Sequence, residues 1–290
     1  LYRRATPIKL FVMLHRVIHA NGVVTYQSPL LNAVGVRHAF ATRIGGISAA
    51  PFDSLNLGNP TGCQLQDDNA HLQKNYDLLQ QAIGAGQAMR CWVRQVHGTA
   101  VGLVEPEGEG EYAEPMAAEI RDRWNGQTDA DALITDQPNV LLTVRVADCV
   151  PLLLASRDGR VVAAVHAGWR GVVFGVAVKA LQAMADRGVV AAEVIAAIGP
   201  GISLEEFEVG PEVAGEFIRA GLGDTVRAGN GGKSHVDLQG AIRLQLATAG
   251  VNAIDGTDRC TVRNADEFFS HRRDRGITGR MAAVVMCKEG

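Results

Sequence analysis

The sequence predicts a mixed α+β fold in one main domain, and three observations predict it. Short apolar runs that read as strands are interleaved with amphipathic stretches of helical period, and the two kinds do not alternate strictly. No internal repeat is visible. No stretch that reads as a linker is longer than the acidic segment 105–127. At 290 residues and 47% hydrophobic content the chain has enough apolar material for a sizeable core.

In chain order, residues 1–30 carry no clear period and are expected to form an N-terminal extension to a single domain over 31–290. The run LFVMLHRVIHANG is interrupted by His15, Arg16 and His19, so it reads as neither a signal peptide nor an anchor. VRHAFATR reads as a strand running into Gly45-Gly46. Residues 51–65 are rich in turn formers. Asp67 and Asp68 are placed to cap a helix whose apolar stripe is Leu72, Tyr76, Leu79 and Ile83, with Gly84 as its stop.

Cys91–Val96 and Thr99–Val104 read as strands on either side of His97-Gly98. Segment 105–127 is strongly acidic and reads as a solvated surface insertion. Ala132–Thr135 and Val140–Val144 are further strands. Val150–Ala155 and Val161–Val165 are joined by the polar turn Arg157-Asp158-Gly159-Arg160 and so predict a hairpin.

From Gly171 a helix is expected through Val173, Ala177, Ala180, Leu181 and Met184, stopping before Gly188. A strand over Glu193–Ile198 follows. Pro211 starts a helix where its missing N–H is harmless, and Asp237 caps another that ends before Gly250. Met281–Met286 is the final strand. Which strands pair is not given by local pattern.

The charge balance of 28 basic against 31 acidic residues offers no attraction for nucleic acid or an anionic membrane. Arg145, Asp148 and Pro151 interrupt the apolar run around Val140–Ala155, which rules it out as a membrane span. Five scattered cysteines without a Cys-x-x-Cys pair leave at least one thiol free, the usage of a reducing compartment, so a cytoplasmic location is expected.

The predicted hairpin concentrates the chemistry. One of its ends carries Asp148 and Cys149, and the other carries His166 followed by Gly168-Trp169-Arg170-Gly171. If the turn closes, a thiol and an imidazole seventeen positions apart come within reach, where the imidazole can lower the thiol pKa or share a metal with it.

The words HAFATRIGGIS (38–48), RQVHGTAV (94–101), DALITD (131–136), ADCVPLLL (147–154), HAGWRG (166–171), AIGPGIS (197–203) and FFSHRRD with TGR (268–280) occur in this order. Their joint order resembles the laccase-domain, or polyphenol oxidase and peptidoglycan editing factor, family of purine nucleoside phosphorylases. The resemblance implies two packed mixed β-sheets flanked by helices in α-β-β-α layers, similar to the Cys-His domains of some bacterial toxins. It implies metal ligands at His97, Cys149 and His166, with Zn2+ or alternatively Cu2+ bound. It also implies phosphorolysis of adenosine, inosine and methylthioadenosine, together with adenosine deamination, so the expected partners are purine nucleosides and phosphate.

For a phosphate anion the candidates are Arg43 and Arg170, each beside glycine, because a guanidinium fork matches phosphate oxygens. Asp148 is the candidate to orient a ligand histidine or move a proton. His38 and His271 fall inside these words but are given no role beyond proximity to substrate. Trp169 is assigned to the core, and Cys63 and Cys260 are read as buried thiols.

Eight histidines without a His-x-His pair do not supply a multicopper relay. The competing readings are a cysteine hydrolase acting on an amide or ester such as a peptidoglycan precursor, with Cys149 as nucleophile, and a single-copper polyphenol oxidase.

Overall fold

The computed structural model of the chain describes residues 10–105 and 125–288. Its strands are β1 (Leu10–Met13), β2 (His15–Ile18), β3 (Val24–Gln27), β4 (Arg37–Ala41), β5 (Met89–Arg94) and β6 (Val101–Leu103). They continue with β7 (Asn125–Asp129), β8 (Ala132–Thr135), β9 (Val140–Val146), β10 (Val150–Ser156), β11 (Val162–Ala167) and β12 (Val194–Ile198). The last are β13 (Glu208–Val209), β14 (Val226–Ala228), β15 (Ser234–Val236), β16 (Ala253–Gly256) and β17 (Met281–Met286). The helices are α1 (Pro29–Ala33), α2 (Asn69–Ala82), α3 (Trp169–Val173), α4 (Val176–Ala185), α5 (Pro211–Arg219) and α6 (Leu238–Thr248).

Two seven-stranded mixed sheets carry the fold. One has the order β1-β16-β12-β10-β11-β8-β6 and the other β2-β3-β4-β17-β9-β5-β7, with a small β13-β15-β14 sheet beside them. The strands that read as continuous apolar runs do so because both of their faces are covered. Leu153, Ala155, Val162, Ala164, Ile195 and Ala197 of the first sheet meet Phe40, Leu142, Val144, Ala283 and Val285 of the second. Their alternates Leu152, Leu154, Ala163, Val165, Ala196 and Ile198 turn the other way, onto Val172 of α3, Ala177 and Ala180 of α4, Phe217 of α5 and Ile242 of α6. On the outer face of the second sheet, Ala39, Leu141, Ala282 and Val284 pack against Tyr76 and Leu79 of α2. The result is a single mixed α+β unit with helices on both sides of two packed sheets.

Helix ends follow the local chemistry. The Asp68 side chain accepts the Ala70 N–H, the Asp237 side chain accepts the Gly240 N–H, and Pro211 opens α5. The helix expected from Gly171 is two, because Gly175 adopts φ 80 and breaks the run between α3 and α4.

Residues 10–27, where the sequence shows no pattern, supply β1 to one sheet and β2 and β3 to the other. Four-residue strands are too short to display a period, and β2 is largely exposed at a sheet edge, so no apolar alternation marks it. Residues 106–124 of the expected acidic insertion lie outside the described residues. Among the described residues no helix is long and apolar enough to cross a membrane.

Candidate metal centre and active site

The β10–β11 hairpin closes as its sequence suggests. Val150 pairs with Ala167 and Pro151 with His166, and the turn is tied by Gly159 N–H donating to the Ser156 carbonyl at 2.9 Å. Cys149 therefore stands at the hairpin's open end beside His166. The link 147–149 is also where the chain leaves one sheet and enters the other, since β9 lies in the second and β10 in the first.

His97 arrives from the end of β5, a strand of the second sheet. Gln95 pins it there: the Gln95 amide donates to the Arg145 carbonyl and accepts the Arg145 N–H, both at 2.8 Å, so a side chain prolongs the β5–β9 pairing. His97 itself has φ 61, a left-handed conformation that costs a non-glycine residue about 1–2 kcal/mol and needs support from its surroundings.

That support is Asp131, at the start of the first sheet's β8 and fully buried. Its Oδ1 accepts the His97 backbone N–H at 2.9 Å and the His166 Nδ1–H at 2.8 Å. Its Oδ2 accepts the Gly98 N–H at 2.6 Å and the Val96 N–H at 3.2 Å.

One ligand atom from each of His97, Cys149 and His166 lies within 4.8 Å of the others, and this is the one such group among the described residues. Cys149 Sγ is 3.9 Å from His97 Nε2. Tetrahedral zinc, with bonds of ~2.3 Å to sulfur and ~2.05 Å to nitrogen, sets these two ligand atoms about 3.6 Å apart. Two imidazoles and a thiolate are the borderline-soft donors zinc selects, and His166 presents Nε2 because Nδ1 is held by Asp131, so the residues fit the ion. They do not fit several coppers. His97 is exposed, Cys149 half-buried and His166 buried, so the group opens outward from the core.

Gly168 makes room for it. A Cβ at this position would stand 2.7 Å from His97 Cδ2 and 3.2 Å from Cys149 Sγ.

Electrostatically the group favours separated charge. Burial alone would raise the Cys149 thiol, but the charge of His166 and hydrogen bonds from both histidines outweigh it and bring the thiol down to about 6. Burial alone would lower His166, but the Cys149 charge and the Asp131 hydrogen bond raise it to about 9. Burial would also raise Asp131, and the His166 ring and the Gly98 and His97 amides hold it below the ordinary carboxylate range.

The group lies on the wall of a cavity of about 550 Å³, which Trp92, Arg94, Gln95, Arg145, Phe207, His271, Arg272 and Arg280 also line. Arg94 pairs with Asp129, Arg272 Nη1 donates to the Glu206 and Glu208 carbonyls, and Arg280 Nη1 donates to the Thr278 and Gly279 carbonyls at 3.0 Å, which leaves the other N–H groups of Arg280 without a protein acceptor among the described residues. Among the described residues, no carboxylate forms an ion pair with Arg145 or Arg280. Burial keeps Arg280 below the ordinary guanidinium value despite the nearby charges of Cys149 and Asp148, and the like charge of Arg145 adds to the effect.

The expected site residues are thus partly redistributed. Arg43 donates to the carbonyls of Asp53 and Ala265, pairs with the Asp53 carboxylate at 3.1 Å and covers the Phe269 ring at 4.6 Å, so it braces a loop away from the cavity lining. Arg170 is exposed over Trp169 at 4.4 Å and is also absent from the lining. Asp148, with φ 87, lines the cavity, but its carboxylate is spent on the Thr261 hydroxyl and the Arg272 N–H, both at 2.6 Å. It ties the 268–274 segment to the bend at Cys149, and the carboxylate that orients His166 is Asp131. His38 is buried between the Ser28 N–H and the Val36 carbonyl, whereas His271 reaches the cavity. Trp169 packs against the core and Cys260 is buried, but Cys63 is half-buried. Asp131, Gly168 and Arg280 each fall inside one of the motif words and were singled out by none.

The sequence profile described as multi-copper polyphenol oxidoreductase laccase matches residues 37–288. A purine nucleoside phosphorylase of Deinococcus radiodurans is 40% identical over 259 residues, covering 89% of this chain and 92% of that protein. Purine nucleoside phosphorylase YfiH of Escherichia coli is 37% identical over 252 residues, covering 87% and 93%. The crystal structure of YlmD from Geobacillus stearothermophilus superposes with a TM-score of 0.79 at 30% identity, covering 94% of this chain and 99% of that one.

Proposed function

The chain belongs to the multi-copper polyphenol oxidoreductase laccase family, and on that premise we propose that it is a zinc-dependent purine nucleoside phosphorylase. The substrates are adenosine, inosine and methylthioadenosine, with adenosine deamination as a second activity. The observation that carries this reading is the convergence, on one cavity wall, of His97, Cys149 and His166 with two guanidiniums, Arg145 and Arg280, that have no carboxylate partner among the described residues.

In phosphorolysis a phosphate oxygen forms a bond to C1′ of the sugar while the C1′–N9 bond breaks. The electron pair leaves with the purine, which takes up a proton. Arg145 and Arg280 hold the phosphate, since guanidinium N–H groups are strong donors to its oxygens and the partial burial of Arg280 strengthens the attraction. His271, exposed on the cavity wall, supplies the proton to the departing base. Trp92 and Phe207 give the nucleoside apolar surface. His97, Cys149 and His166 would hold a zinc ion, which when bound would supply a Lewis acid at the cavity wall. Deamination exchanges the C6 amino group of adenosine for a water oxygen and releases ammonia.

The test is incubation of the purified protein with each nucleoside with and without phosphate. Ribose 1-phosphate and free base appearing only with phosphate support the proposal, and base release independent of phosphate contradicts it.

One observation favours a second reading. Cys149, His166 and Asp131 stand in the order nucleophile, base and orienting carboxylate, with the thiol lowered to about 6. A cysteine hydrolase acting on an amide or ester, such as a peptidoglycan precursor, would form an acyl adduct on Cys149 that a chelator leaves unaffected. His97 argues for the metal, because a hydrolase triad has no use for a second converging imidazole.

A further inference from the structure

Asp131 has used its entire hydrogen-bonding capacity. A carboxylate offers about four acceptor positions, and four N–H donors fill them: His97 and His166 on Oδ1, Val96 and Gly98 on Oδ2. Three of the donors are successive backbone amides of one turn, and the fourth is a ring nitrogen on β11, 35 positions from Asp131.

The two halves of this arrangement do different things. Toward His166 the carboxylate fixes the tautomer, placing the proton on Nδ1 and leaving the Nε2 lone pair to face Cys149 and His97. Toward residues 96–98 it gathers three amides and so stabilises the left-handed backbone at His97 that turns this imidazole to the same point. Either ligand shifting would disturb the hydrogen bonds that position the other.

We propose that Asp131 is a positioning residue that couples the two histidine ligands, so that one buried carboxylate makes metal capture at His97, Cys149 and His166 cooperative. The proposal rests on the metal-site reading above and goes beyond it by assigning the coupling to a residue outside the ligand set. Both oxygens have to accept. In Asp131→Asn one oxygen becomes an N–H2 group, and either orientation sets it against two N–H donors, at the 96–98 turn or at His97 and His166.

The experiment measures zinc affinity by competition with a chromophoric chelator, using the metal alone, for the unaltered protein, Asp131→Asn, His97→Ala and the double variant. Asp131→Asn is expected to weaken zinc about 10- to 100-fold. Its effect should shrink several-fold when His97 is already alanine, because one of the ligands it positions is gone. With cobalt(II), the thiolate-to-cobalt charge-transfer band should persist in Asp131→Asn while the ligand-field bands change, marking loss of a histidine and retention of Cys149. An affinity within twofold of the unaltered protein, or effects that simply add in the double variant, would overturn the coupling.

Should Asp131→Asn fail to fold, amide hydrogen exchange in the unaltered protein decides the matter. Zinc should slow the amides of Val96, His97, Gly98 and His166 together, and slowing at one strand alone would overturn the proposal. Zinc binding without any phosphorolysis would remove the activity reading and leave the coupling standing, whereas no zinc binding by the unaltered protein would remove both.

Discussion

Cys149 Sγ lies 3.9 Å from His97 Nε2, although the two residues are 52 positions apart and reach each other from different strands. The contact exists because the chain steps between sheets at 147–149 while β5 ends beside that step. Cys149→Ala is expected to abolish stoichiometric zinc, a larger effect than the ~10–100-fold typical of losing a supporting hydrogen bond. Elemental analysis of the purified variant checks this, and one zinc per chain in Cys149→Ala would count against the ligand set.

Gly168 touches the same pair through the atoms it lacks. Its φ is −72, so alanine suits the backbone there, yet the added Cβ would crowd His97 Cδ2 at 2.7 Å and Cys149 Sγ at 3.2 Å. Gly168→Ala is expected to fold, and to bind zinc at least about tenfold more weakly because the ligands are pushed apart. A calorimetric zinc titration with unchanged affinity would show that the wall can yield.

Arg145 and Arg280 are expected to set the KM for phosphate. Replacing either by glutamine removes a charge-assisted hydrogen bond of roughly 1.5–3 kcal/mol, so KM for phosphate should rise about 10- to 150-fold with zinc content unchanged. Arg43→Gln serves as the contrast. It loses the carbonyls of Asp53 and Ala265 and the Phe269 ring, so it should lower the melting temperature and leave KM for phosphate alone. Phosphate saturation curves for the three variants separate the two roles.

His38 makes stability depend on pH. Burial outweighs its hydrogen bond to the Val36 carbonyl and brings it down to about 4, while the unfolded chain titrates near the ordinary 6.5. Above pH 6.5 both states are neutral. As pH falls below that value the unfolded chain takes up a proton that the folded protein refuses, so stability is lost progressively until pH reaches about 4. The whole loss is about 3 kcal/mol at about 1.4 kcal/mol per unit. His38→Gln should flatten this slope, and urea unfolding at pH 7 and pH 5 measures it. An equal pH 7 to pH 5 loss in the variant would assign the dependence to other groups.

What the sequence disclosed was local. The β10–β11 hairpin, the caps at Asp68 and Asp237, Pro211 at the start of α5 and the strand Met281–Met286 follow from short-range periodicity and turn chemistry. The placement of β9 and β10 in different sheets did not, because three residues separate them and nothing in those residues marks a crossing. Asp131 stayed hidden for the same reason: its partners lie 33 to 35 positions away, and within DALITD it reads as the polar residue before a strand. Arg43 and Arg280 both stand near glycine and both donate to backbone carbonyls, and neighbours in sequence do not reveal which of the two lines the cavity. The three candidate ligands were legible because the motif words placed them in a resemblance, and the hairpin alone brought only Cys149 and His166 together.

The most direct measurement strips the protein of metal, adds zinc back stepwise and follows phosphate-dependent formation of ribose 1-phosphate from adenosine and inosine. Activity rising with zinc and levelling at one ion per chain is the outcome this account predicts. Full phosphorolysis in the stripped protein, or none at any zinc level, would contradict it.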